Sequence, residues 1–159
     1  MLKKFFIVLL LIGNLSAKTY NFTELRYSDA TDRYKLLEGK ITFTPGGLVI
    51  IYPKIAKKIE YKNDSLRYFE NNKEVSLNNF QAMKIMQYFN ILKAVHNNDK
   101  SEIQEMFEIK NKNNMELLKP IGSIKKYIRY IKTFKEKGKL FSIKLFLQNN
   151  DTISINIDD

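Results

Sequence analysis

The chain has 159 residues, enough for one domain with one hydrophobic core, and 27 Lys and Arg against 17 Asp and Glu give a net charge of +10. It has no cysteine and one histidine, His96. That excludes disulfides, Cys-based metal sites and Cys nucleophiles, and leaves little material for a His-based zinc site or a Ser-His pair.

Residues 1–17 read as a cleaved signal peptide. Met1 to Lys4 form a basic start, Phe5 to Ile12 an apolar run too short to span a bilayer, and Ala17 a small residue at the cleavage point. An exported chain without cysteine carries no lipid on an N-terminal Cys, so a soluble periplasmic or secreted protein of residues 18–159 is expected. Acidic residues are mixed among the basic ones, which predicts a generally basic solvated surface that also suits anionic headgroups. Nucleic acid is not an expected partner for such a chain.

From Thr19 to Leu77 the pattern is short strands and turns: Thr19–Tyr27, a loop at Ser28–Asp32, then Tyr34–Thr44 with Leu37, Ile41 and Phe43 on one side. Pro45-Gly46-Gly47 is a turn. Leu48–Tyr52 is apolar on both faces and predicts a central strand, covered on both sides or lining a cavity. Lys58–Lys62, Leu66–Phe69 and Glu74–Leu77 continue the meander.

At Asn78-Asn79 the period changes to helical. Phe80, Met83, Met86, Phe89, Leu92 and Val95 share a wide apolar stripe that suits a helix packed on the sheet. Met83 and Met86 add soft, adaptable side chains to it, as a lid over an apolar ligand would have. A short second helix is expected over Ser101–Phe107, capped by Asp99 or Ser101. Strands then follow at Glu108–Lys110, Met115–Leu118 and Lys126–Phe134, with a corner at Pro120-Ile121-Gly122 and a hairpin loop at Lys135–Gly138.

The end of the chain is the clearest hairpin. Phe141, Ile143, Leu145 and Leu147 alternate with Ser142, Lys144 and Phe146, and Ile153, Ile155 and Ile157 alternate with Thr152, Ser154 and Asn156. The turn formers Gln148–Asp151 lie between them. The expected fold class is α+β, mostly β, with eight to ten strands. It is a curved antiparallel sheet, an incomplete barrel, covered by one long and one short helix.

No catalytic constellation, Gly-rich phosphate loop or carboxylate-rich metal loop is present in the sequence. His96 falls at the end of the long helix, where a cation is favourable. Asp64 and Asp151 fall in turns. A non-enzymatic protein without a cofactor is expected, whose working part is an apolar cavity between helix and sheet. Its candidate lining is Phe43, Leu48 and Ile50 from the first strands, and Met83, Met86, Phe89 and Leu92 from the helix. Phe141, Ile143, Leu145, Ile153 and Ile155 from the terminal pair form its floor.

The order of Gly39–Phe43 with Pro45, Tyr52-Pro53, Ile59–Asp64 with Leu66–Phe69, the helix, Phe107–Ile109, Glu116–Pro120, the Gly138 hairpin and the terminal strands carries a resemblance. In the order and spacing of these parts the chain resembles the periplasmic outer-membrane lipoprotein carrier family (LolA-like). The resemblance implies a monomeric carrier that shields lipoprotein acyl chains between an inner-membrane release complex and an outer-membrane receptor. Thr44 stands where that family usually has a basic latch residue before the proline, and Val49 or Ile50 where it has an arginine. The family's leading helix has no room before Tyr20. A differently latched relative, with a glycolipid or another amphiphile as cargo, or a binding module for a protein partner, is the alternative expectation.

Overall fold

The computed structural model describes residues 17–158, so the expected signal peptide, up to residue 16, lies outside the described residues. The first half of the chain is an antiparallel meander: β1 (Lys18–Ser28), β2 (Arg33–Thr44), β3 (Gly47–Tyr52), β4 (Lys57–Lys62), β5 (Ser65–Glu70) and the two-residue β6 (Lys73–Glu74). Two helices follow, α1 (Asn79–Asn97) and α2 (Lys100–Met106). The second half is β7 (Phe107–Lys112), β8 (Met115–Pro120), β9 (Ile128–Glu136), β10 (Lys139–Leu147) and β11 (Thr152–Asp158).

All eleven strands among the described residues form one antiparallel sheet in the order β6-β5-β4-β3-β2-β1-β11-β10-β9-β8-β7. Only the β1–β11 pairing joins strands distant in sequence, with Phe22 opposite Ile157 and Glu24 opposite Ile155. The first meander therefore runs out to one edge, and the second starts at the opposite edge and works back to the middle. The chain must cross the whole sheet once. That crossing is α1 and α2, which is why a helix covers one face. The architecture is the expected curved antiparallel sheet with one long and one short helix.

The hairpins follow from local chemistry. Asn63-Asp64, Asn71-Asn72 and Lys137-Gly138 each have positive φ at both central positions, the type I′ geometry that matches strand twist. Asn, Asp and Gly tolerate that region best. Gly39 on β2 is required for close approach. A Cβ there would lie 2.4 Å from the Ile51 carbonyl oxygen and 2.8 Å from the Phe22 ring, which covers the gap.

The inner face carries the core. Phe22, Ile41, Phe43, Leu48, Ile50, Ile59 and Tyr61 come from one meander, and Leu118, Ile131, Ile143, Leu145 and Ile155 from the other. α1 begins with a full capping box: Asn78 accepts from the Gln81 backbone at 2.9 Å, and the Gln81 side chain accepts from the Asn78 backbone. It ends at Asn98, whose left-handed φ of 54° suits asparagine. The helix buries Phe89, Ile91, Leu92, Ala94 and Val95 in its C-terminal half, while Ile85, Met86 and Tyr88 before them pack only partly against the core. Each of the large buried ones contributes on the order of 2 kcal/mol by leaving water.

Three expectations are corrected. Glu74–Leu77 is not a strand: β6 ends at Glu74, Val75 donates one more bond to the Tyr68 carbonyl at 2.8 Å, and the chain leaves the edge for the Asn78 cap. The Leu48–Tyr52 strand is central but covered on one side only, because α1 lies on the inner face and Ile51 is exposed on the outer one. Phe141 does not join the floor. A bulge between Leu140 and Ser142 breaks the alternation, so Leu140 packs on the core and Phe141 stands 50 % exposed.

Candidate functional site

The uneven packing of α1 leaves a cleft of about 390 Å³ between its middle turns and the end of the sheet formed by β9, β10 and β11. One wall is α1, through Lys84, Gln87, Tyr88 and Ile91. The floor is Ile128, Leu145, Leu147 and Ile153, and Lys126, Tyr127 and Gln148 close the far side. Its body is aliphatic and aromatic, its rim carries two lysines, and among the described residues no acidic side chain lines it. Its size falls at the lower end of the roughly 300–1,000 Å³ usual for ligand pockets.

Of the candidate cavity residues, Leu145 and Ile153 line this cleft. Phe43, Leu48, Ile50, Phe89, Leu92, Ile143 and Ile155 are instead brought together in the sealed core under the C-terminal half of α1. Met86 packs partly against that core. Met83 is 37 % exposed and Phe80 53 %, so the first turn of the helix lies outside it. Sequence periodicity marked which residues face inward but not where the helix stands off the sheet. Ile128, Tyr127 and Leu147 were missed as lining for that reason.

Beside the cleft lies a polar cluster in the middle of the inner face. Glu24 is fully buried, ion-paired to Arg26 two residues along the same face of β1, and accepts a hydrogen bond from the Tyr52 hydroxyl at 2.8 Å. Burial opposes the charge on Arg26, but the neighbouring Glu24 outweighs it and raises the guanidinium pKa. Burial first, and then Glu24, push the Tyr52 phenol up. Tyr68 is pushed up to about 12 by burial and by its hydrogen bond to Glu70. These phenols remain protonated donors at neutral pH. The Tyr88 hydroxyl is also buried, and burial raises its pKa well above the ordinary value. It is the one buried side-chain polar atom among the described residues with no hydrogen-bond partner. An i, i+2 acidic-basic pair such as Glu24 and Arg26 reads as a solvated strand edge in a sequence, so this cluster gave no signal.

The other end of α1 is tied down. The His96 ring stacks on Phe43 with centroids 3.6 Å apart and meets Tyr20 edge-on at 5.7 Å. Burial lowers its pKa, so the ring packs as a neutral aromatic; the expected cation at the helix end is replaced by stacking. Lys135 on β9 donates to the cap residue Asn98 at 2.7 Å and pairs with Glu116 at 3.0 Å. The helix is anchored at its C-terminus, and its first turns, where Phe80 and Met83 are exposed, are the less buried end.

No group of three or more His, Cys, Asp and Glu among the described residues is placed to hold a metal. The arrangement offers an apolar slot with a cationic rim and protonated phenols. Compared with known proteins, the chain matches no family model and no curated sequence.

Proposed function

We propose that the protein is a non-catalytic carrier that shields an acyl chain in the cleft beneath the middle turns of α1. The observation that carries this is the uneven packing of α1: five side chains from Phe89 onward are buried, those before it are only partly buried, and an open apolar slot runs along its middle turns at Lys84, Gln87, Tyr88 and Ile91. A segment with few apolar contacts opens at low cost, and a methylene moved from water into an apolar slot contributes about 0.8 kcal/mol. An acyl chain entering the slot needs no bond made or broken. The resemblance to the LolA-like family supports acylated lipoproteins as the cargo. In this proposal the carrier works in the periplasm between an inner-membrane donor and an outer-membrane receptor. The modest cleft volume favours one chain at a time, which equally suits a single-chain amphiphile.

Native mass spectrometry of protein isolated from its own compartment tests the reading. Bound lipid or lipopeptide is expected, and it should be displaced in Leu147→Trp, which fills the slot from the floor. Clean protein, or a protein partner whose occupancy Leu147→Trp leaves unchanged, would instead make the domain a protein-binding module.

A further inference from the structure

The outer face of β8, β9 and β10 carries a second feature that the cleft does not use. Tyr130 on β9 and Phe146 on β10 are register partners, and their rings stack with centroids 4.2 Å apart at 24°. Lys132 and Lys144 flank them on the same face. The Lys132 ammonium sits 5.9 Å from the Tyr130 ring and 5.6 Å from the Phe146 ring, and Lys144 sits 5.1 Å from Phe146. Arg129 lies 5.5 Å from Tyr130. Beside this stack a shallow depression of about 590 Å³ is lined by Lys119, Lys125, Arg129 and Lys132, with Leu117 and Ile121 between them and Glu108 as its acidic member. Ile121, 39 % exposed, adds apolar surface at the depression, and Phe134, 40 % exposed, does so two residues beyond Lys132 toward the other end of β9.

We propose that this face docks on an anionic phospholipid bilayer. Among the described residues four cations converge on one depression with a single acid, which gives charge complementarity to a negative headgroup layer. Aromatic and aliphatic side chains interleaved with those cations suit the water–headgroup boundary, where amphipathic rings concentrate. A nucleic-acid strand fits less well. Base stacking needs free ring faces, and here Tyr130 and Phe146 stack on each other under a cover of cations. The position also matters. The 3-10 turn Gly122–Lys126 puts Lys125 on the depression and Lys126 on the acyl cleft, and Gln148 lines both. A bilayer docked here lies next to the mouth of the cleft.

The test is vesicle co-sedimentation of the protein with phosphatidylcholine vesicles, with and without phosphatidylglycerol. The readout is the comparison of charge variants that all carry the same residues 1–17, so any contribution of Lys3, Lys4 or Phe5–Ile12 is common to them. Binding should require phosphatidylglycerol and weaken as salt is raised to about 1 M, where the Debye length is ~3 Å. Lys132→Glu with Lys144→Glu should lower partitioning by roughly thirtyfold or more, while Lys62→Glu with Lys73→Glu, an equal charge change on exposed residues of the opposite meander, should leave most of it. The chain has no tryptophan, so Phe134→Trp supplies a single reporter. Its emission should shift to the blue on phosphatidylglycerol vesicles, and that of Ile51→Trp should not. Equal loss in both charge variants, an unshifted Phe134→Trp, or retention on an oligonucleotide without vesicle binding would each overturn the proposal. None of these readouts depends on whether the cleft holds an acyl chain.

Discussion

Tyr52 and Glu24 meet on adjacent but one strands of the inner face, the hydroxyl donating to the carboxylate at 2.8 Å with both side chains out of water. Arg26 takes the other carboxylate oxygen. A buried carboxylate held by two donors is specific about what may replace it. Glu24→Gln keeps the shape and one acceptor, and is expected to cost about 2 kcal/mol in urea unfolding. Glu24→Ala strands the buried Tyr52 hydroxyl and takes the partner from Arg26, whose side chain is 46 % exposed, and should cost more. If Glu24→Ala were the milder change, the pair would not be part of the fold's stability.

Tyr88 is the converse case. Its hydroxyl is buried without a partner, so the folded state carries a desolvation penalty and no hydrogen bond to offset it. Tyr88→Phe should therefore leave stability unchanged or raise it by up to about 1 kcal/mol. A loss larger than that in thermal or urea unfolding would mean that the hydroxyl is satisfied in solution.

His96 gives the fold a pH dependence of known sign. Burial against Phe43 and Tyr20 holds its pKa below the ordinary value near 6.5, although the contact of Nδ1 with Asn97 acts the other way. The unfolded chain then binds a proton at a pH where the folded one does not. Stability contributed by the neutral ring is present above about pH 6.5 and is lost as pH falls toward the lowered folded value. Unfolding midpoints should drop across that interval, and His96→Phe should flatten the drop while keeping the stack.

Much of the fold was legible because the signals were local. Alternation marked the inner faces of β2, β10 and β11, Asn-rich turns marked the hairpins, and Asn78-Asn79 marked the start of α1. Curvature and standoff were not legible. The bulge at Phe141 is invisible to a strict two-residue period, and no sequence pattern says which half of an apolar helix touches the sheet. Glu24 was hidden because a charged residue beside an opposite charge is usually solvated. Its burial comes from β11, β2 and α1 together, not from β1 alone.

That bulge makes a comparison of neighbours decisive. Phe141 is half exposed and Ile143 fully buried, though a regular strand would put them on one face. Phe141→Ser should change stability by no more than about 0.5 kcal/mol, while Ile143→Ala should cost about 2–5 kcal/mol. Similar losses at both sites, read from denaturant midpoints, would mean that the register is regular and Phe141 belongs to the floor after all.

The carrier reading requires the first half of α1 to move while the second half stays anchored by the His96 stack and the Lys135–Asn98 bond. The chain has no cysteine, so a pair can be introduced without competing thiols. Lys84→Cys on α1 and Gln148→Cys beside β10 face each other across the cleft. Joining them with a short reducible bifunctional reagent should block uptake of a fluorescent fatty acid, and reduction should restore it. The same reagent joining Asn98→Cys to Lys135→Cys, at the anchored end, should leave uptake close to that of the unlinked protein. If the second crosslink blocked uptake as fully as the first, the helix would open from its C-terminus, and the uneven packing of α1 would not be the hinge.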